Sequence, residues 1–185
     1  MNNDIGHETK EKMDSSRKKQ EAFVDYIIHC CQIDSGLRAA LKRADNPATE
    51  YQSWEILAGF QINLEKENQR LPYASIAAAI ARAKIDQNGV VKIGQAIARC
   101  YEDGNASAQA KIKLRRLLAC DSVPEVCRIL RALFSLIESR SNIILDYSSL
   151  LNDLLLFSLN ERQAGIKTAW AQGFYSKSVE GNQDE

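Results

Sequence analysis

Between Lys111 and Tyr175 the apolar residues recur three and four positions apart, and that spacing can be buried only by packed helices. The run from 122 to 139 shows it most fully. Val126, Ile129, Leu130, Leu133, Phe134 and Ile137 fall on one stripe. Ser122 stands three residues before Glu125, with Pro124 between them, which is the signature of a capping box opening a helix. That helix is expected to end near Ser139. Upstream, Ala110, Leu114, Leu117 and Leu118 outline a helix over residues 106–120. Downstream, Asp146 is placed to cap a helix carrying Leu150, Leu151, Leu154 and Leu155, and a last helix after Asn160 carries Ile166, Trp170 and Phe174.

The N-terminal half continues the pattern. A helix is expected from Ser15–Ser16 to Ile33, with Phe23, Ile27, Cys30 and Cys31 on one side. Asp34–Ser35–Gly36 breaks it, and Ser35 is read as the cap of a short helix from Leu37 to Ala44. Asn46–Pro47 opens the next, in which Tyr51, Trp54, Leu57 and Phe60 read as core. Residues 61–71 are polar and read as a loop or helix end, after which Pro72 opens an alanine-rich helix, YASIAAAIARAK. Turns at Asp86–Gly89 and Glu102–Asn105 flank a short helix from Ile93 to near Tyr101. With 9 glycines and 3 prolines in 185 residues, and no alternating segment, the chain reads as all-α. The expectation is a compact single-domain bundle of about eight helices over residues 17–175. Residues 1–16 and 176–185 are polar and aperiodic and are expected to be disordered tails.

Composition excludes several classes of function. The N-terminus lacks the apolar core of a signal peptide. No apolar run reaches the length of a membrane span. Five cysteines without a C-x-x-C spacing, mostly among apolar residues, fit free thiols in a reducing, cytoplasmic setting. Of the two histidines, His7 lies in the polar tail and His29 in an apolar helix, where it reads as structural. No zinc spacing is present. The GVVKIG stretch at 89–94 has neither Walker spacing nor a preceding strand. Asp146 reads as a helix cap and Asp153 as a solvated helix position, so neither these nor Asp121 suggests a metal centre. No cofactor, metal or catalytic residue is expected. A cysteine nucleophile with His29 is the one enzymatic alternative, and nothing in the sequence orients a base for it.

Net charge is zero, with 24 Lys and Arg against 24 Asp and Glu, but its distribution is uneven. Residues 36–140 hold 16 basic against 11 acidic side chains, while the flanks are acidic. Within that basic middle, Lys42–Arg43, Lys111–Lys113–Arg115–Arg116 and Arg128–Arg131 form three groups on three helices. Arginine suits planar contact with phosphate. The bland alternative is a solvated face paired with Glu125, Glu138 and Asp121.

The pieces KIGQAIARCY, KLRRLLACDSVPEVCRILRALFSLIES, ILDYSSLLNDLLLF and IKTAWAQGFY, in that order, resemble the CasB family, the small subunit of the type I-E CRISPR surveillance complex Cascade. The resemblance covers residues 34–175. It implies an all-α protein without catalytic activity, present in two copies, with other Cascade subunits, guide RNA, target DNA and the displaced single strand as partners. Recognition of sequence is then left to base pairing, and the protein holds backbone. By position, Lys42–Arg43 match a basic pair after the first conserved helix. Lys113 and Arg131 match basic positions of the central helices, and Arg162 one between the last two. Gln95 departs from the family, which often has Arg there. The residues expected to meet phosphates are Arg38, Lys42, Arg43, Lys111, Lys113, Arg116, Arg128, Arg131 and Arg162. A helical scaffold that binds protein but has no nucleic-acid affinity of its own is the alternative.

Overall fold

Nine helices follow one another in a computed structural model that describes residues 4–140 and 143–176. They are α1 (Asp4–Ile33), α2 (Ser35–Leu41), α3 (Trp54–Gly59), α4 (Glu67–Ala83), α5 (Ile93–Arg99), α6 (Ala108–Leu118), α7 (Val123–Glu138), α8 (Tyr147–Leu156) and α9 (Asn160–Tyr175). The architecture is all-α, as the spacing of apolar residues required.

The alanine-rich helix is the axis. Every residue of α4 from Pro72 to Ala81 is buried, and α1, α7 and α8 pack around it. A helix apolar on all sides must be surrounded. Its alanines let the neighbouring backbones approach closely, while Phe23, Phe134 and Phe157 fill the space between the outer helices. A second seam joins α5 to α9. A Cβ at Gly94 would lie 2.0 Å from the carbonyl oxygen of Trp170 and 2.7 Å from the amide nitrogen of Phe174. Glycine is therefore a packing requirement in α5. Trp170, held there, stacks on Phe157 at 5.8 Å between ring centroids and donates Nε1–H to Asp153 Oδ2 at 2.8 Å.

The turn at Asp86–Gly89 does more than reverse the chain. Val91 and Leu145 form an isolated parallel bridge, with Gly89 N–H donating to Leu145 O at 2.9 Å and Asp146 N–H to Val91 O at 2.9 Å. A Cβ at Gly89 would lie 2.0 Å from Ile144 O, so this approach too requires glycine. Asn88 accepts from Tyr147 N–H at 2.8 Å and donates to Asp146 Oδ1 at 3.1 Å and Ser148 Oγ at 2.8 Å. Lys92 Nζ meets Asp146 Oδ2 at 2.6 Å. Asp146 caps α8 as expected, accepting from Ser149 N–H at 3.0 Å.

Several local expectations are corrected. The first helix begins at Asp4 rather than after Ser15–Ser16. No proline interrupts the polar stretch. The cap of α2 is Asp34, whose Oδ1 accepts from Leu37 N–H at 2.9 Å, and not Ser35. Asn46–Pro47 opens turns rather than a helix. Asn46 Oδ1 takes the N–H of Ala48, and a 3-10 turn at Glu50–Ser53 precedes α3. The tighter winding rotates side chains out of register. Leu57 remains buried, but Tyr51 is 59% and Trp54 42% exposed, so these two are not core. The alanine-rich helix starts at Glu67, with Pro72 inside its second turn instead of at its start. His29 is exposed and not part of the core. Asp153 is drawn into the α8–α9 interface by Trp170 rather than solvated. Residues 1–3 and 177–185, the ends of the two expected tails, lie outside the described residues.

Candidate nucleic-acid interface

The basic helix α6 is fixed by local chemistry. Ser107 Oγ accepts from Ala110 N–H at 3.3 Å and caps it, while Ala110, Leu114 and Leu117 turn inward. Helical spacing then sets Lys111 and Arg115 on one shoulder and Lys113 and Arg116 on the other. Arg115 and Arg116 are exposed, and Lys111 and Lys113 half-buried. Among the described residues none of the four makes an ion pair.

Helix α7 packs beside it, capped by Ser122 Oγ, which accepts from Glu125 N–H at 3.4 Å. The Glu125 carboxylate returns to Asp121 N–H at 3.0 Å, one residue earlier than a capping box places it. Arg128 lies opposite the buried stripe and is exposed. Arg131 lies on a shoulder of the helix, 3.6 Å from Asp45 Oδ2 through Nε.

Asp45 is the centre of a cluster that local patterns do not reveal. Its side chain is only 4% exposed, and its Oδ2 also accepts from Arg82 Nη2 at 2.9 Å. Arg82 further donates to Lys42 O at 3.1 Å and to Glu138 Oε1 at 3.3 Å. Burial pushes the Glu138 carboxyl up, with Arg82 pulling it back. Arg82, at the polar end of the alanine helix, is thus the organiser of this corner. The only sequence signal for it is a lone cation in the last turn of α4. Arg38 and Lys42 lie close enough to Cys31 to pull its thiol down, although burial dominates and pushes it up to about 11. The ends of α2 and α4 and the middle of α7 therefore bring Arg38, Lys42 and Arg131 to one corner, with the exposed Arg43 next to Lys42 in the chain.

A second junction lies where α9 begins. Lys167 Nζ meets Asp121 Oδ1 at 2.9 Å, and Gln163 Nε2 donates to Asp121 O at 3.0 Å. This ties the start of α9, where Arg162 is exposed, to the α6–α7 corner. Arg128 and Lys167 both act on the thiol of Cys120, which burial nevertheless pushes up. Of the nine expected residues, Arg38, Lys42, Arg43 and Arg131 thus share one corner, while Lys111, Lys113 and Arg116 lie on α6, Arg128 on α7 and Arg162 at the start of α9. The acids expected to neutralise them are used elsewhere. Glu125 takes a backbone N–H, Glu138 pairs with Arg82 and Asp121 with Lys167. Arg131 is the only one of the nine in an ion pair among the described residues.

The cysteines lie apart from this surface chemistry. All five are buried, and burial pushes Cys127 up to about 12. Such thiols are held away from the reactive thiolate. Among the described residues no three His, Cys, Asp or Glu side chains stand where they would hold a metal ion. No described helix is long and apolar enough to cross a membrane.

A family model described as CRISPR-associated protein Cse2 matches residues 37–175. A crystal structure of CasB from M. ruber superimposes with a TM-score of 0.67 at 26% identity, over 85% of this chain and 92% of the other. CasB from Thermobifida fusca superimposes with a TM-score of 0.58 at 18% identity, over 85% and 98%, a likeness of fold. A search of curated proteins finds no match.

Proposed function

Because the chain belongs to the CRISPR-associated Cse2 family and is a Cascade subunit, we propose that it is a non-catalytic nucleic-acid-binding subunit holding guide RNA and target DNA and stabilising the displaced strand. The observation that carries this reading is the absence of compensation. Eight of the nine expected basic residues have no carboxylate partner among the described residues. Cations left unpaired on adjoining helices α6 and α7 offer phosphate oxygens a site without first breaking an internal pair. Contact with backbone makes binding insensitive to base identity, as the division of labour in a guided complex requires. Other Cascade subunits and a second copy of the chain complete the assembly in the cytoplasm.

The test is fluorescence anisotropy of labelled single-stranded DNA of arbitrary sequence over a range of salt concentrations. Wild type should bind with a linear log–log salt dependence of about −0.7 per phosphate contact. Replacing Lys113, Arg116 and Arg128 by Ala should weaken binding and flatten the slope by about 2. Absence of binding by wild type at low salt would refute the reading.

One observation favours a protein-binding scaffold instead. Arg131 is engaged with Asp45, and Arg82 with Asp45 and Glu138, so part of the basic corner is internal structure. Incorporation into the complex without intrinsic DNA affinity would mark that outcome.

A further inference from the structure

On the face formed by α1, α2 and α3 a groove of about 540 Å³ is lined by the apolar side chains of Tyr26, Leu37, Ile56 and Phe60. Its charged lining is wholly acidic: Asp34 and Glu55, with no Lys or Arg. Neither carboxylate makes an ion pair among the described residues. The ring of Tyr26, 44% exposed, leans on Phe60 at 5.0 Å between centroids. Ile33 and Trp54, next in the chain to the two carboxylates, are 70% and 42% exposed. Large apolar side chains in open solvent around a concave site mark a place where another surface belongs.

We propose that this groove docks a segment of a partner protein in which an arginine stands between apolar residues. The apolar flanks would cover Tyr26, Leu37, Ile56 and Phe60. The guanidinium would meet Asp34 and Glu55 and lie against the ring of Tyr26, joining charge-assisted hydrogen bonds to a cation–π contact. Charge decides against the other occupants. Nucleic acid is repelled by two carboxylates. The chain's own segment 177–185 carries one Lys against three acids and is repelled as well. The groove's lining is thus opposite in charge to the basic helices α6 and α7, although α2, which lines it through Leu37, also carries Arg38 of the basic corner, and it does not depend on their binding nucleic acid.

Gly59 gives a clean way to close it. It lines the groove, no atom lies within 4 Å of where its Cβ would be, and its φ is not in the left-handed region. Gly59→Trp therefore adds bulk at the groove with no clash at its Cβ. Glu55→Gln removes one charge and keeps the shape; Glu55 is exposed and, among the described residues, its side chain holds no hydrogen bond that the change would break.

The experiment uses the full chain and a labelled peptide with one arginine between leucines, beside the same peptide with glutamate in place of arginine. The arginine peptide should bind wild type about ten-fold more tightly than the glutamate peptide, the effect of one good charge contact. Gly59→Trp should abolish that binding and Glu55→Gln weaken it several-fold, with single-stranded DNA binding unchanged in both. Equal binding of the two peptides, no binding of either, or binding indifferent to Gly59→Trp would overturn the proposal. Sedimentation showing that wild type self-associates and Gly59→Trp does not would assign the groove to a second copy and overturn it too. Loss of DNA binding in Gly59→Trp would assign the face to nucleic acid, with the same consequence.

Discussion

Replacing Gly94 by Ala sets two physical effects against each other, and the structure says which wins. By helix propensity alone the change stabilises a protein by about 1 kcal/mol. The α5–α9 seam reverses that. The new methyl carbon would lie 2.0 Å from the carbonyl oxygen of Trp170, and the Phe174 amide nitrogen would be 2.7 Å away. A carbon and a carbonyl oxygen rest at roughly 3.3–3.6 Å, so backbone must withdraw by more than 1 Å. No flexible side chain can absorb the shift, because both obstacles are main-chain atoms. Overpacking of this kind costs about 3 kcal/mol at the upper end of its usual range. The net is a loss of about 2 kcal/mol, or a fall in Tm of roughly 4–8 °C for a chain of this size. Gly165, in α9, is the control: no atom lies within 4 Å of its Cβ position, so Gly165→Ala should raise Tm by roughly 2–4 °C. Urea and thermal unfolding followed by Trp170 fluorescence, in a Trp54→Phe background, measures both. A Gly94→Ala protein as stable as its parent would refute the close approach of the two helices.

Two further predictions concern titrating groups. Burial pushes the Asp153 carboxyl up despite the Trp170 hydrogen bond, so its ionisation weakens the fold as pH rises from the unfolded value near ~3.9 through the higher folded one. Asp153→Asn, which keeps an acceptor for Trp170, should match or exceed wild-type stability at pH 7 and lose that part of the pH slope; Asp153→Ala should cost about 1–3 kcal/mol, measured by urea unfolding at pH 5 and 7. Asp146 behaves oppositely. Burial alone would raise it, but hydrogen bonds from Lys92, Ser149 N–H and Asn88 outweigh burial and hold it below the usual carboxylate range. Its contribution is present above the unfolded value near ~3.9 and lost as pH falls through the lower folded one, so Asp146→Ala should cost about 1–2 kcal/mol at neutral pH and move acid unfolding, followed by circular dichroism, to higher pH.

How much could be read in advance depended on where each signal lay in the chain. Helices α7 and α8 were legible because their caps and stripes are local: Ser122 and Asp146 each bind an N–H three residues on, and α6 and α9 showed in their apolar spacing. The segment from Asn46 to Phe60 was not. Its spacing fits a continuous helix, but Asn46 Oδ1, accepting from Ala48 N–H, and Thr49 Oγ1, donating to Arg43 O, spend backbone groups in turns, and Tyr51 and Trp54 are left outside. Asp153 carries no mark of burial in a sequence, since its partner Trp170 is brought to it by the fold. The same holds for the basic site. Lys111, Lys113, Arg116 and Arg128 are exposed or half-buried as helical spacing places them. Arg82, which pairs with Asp45 and Glu138 beside Lys42, went unread because each of those contacts spans 37 or more residues.

The clasp between the α4–α5 turn and the start of α8 changes how the molecule can come apart. The Asp146 cap is bound by Asn88 from 58 residues earlier and by Lys92 from 54. Val91 and Leu145 add the backbone bridge. The first turn of α8 cannot fray without releasing the turn at Gly89, nor that turn open without uncapping α8. Two segments far apart in sequence are thus tied into one opening unit, and their amide hydrogens are expected to exchange with a single free energy.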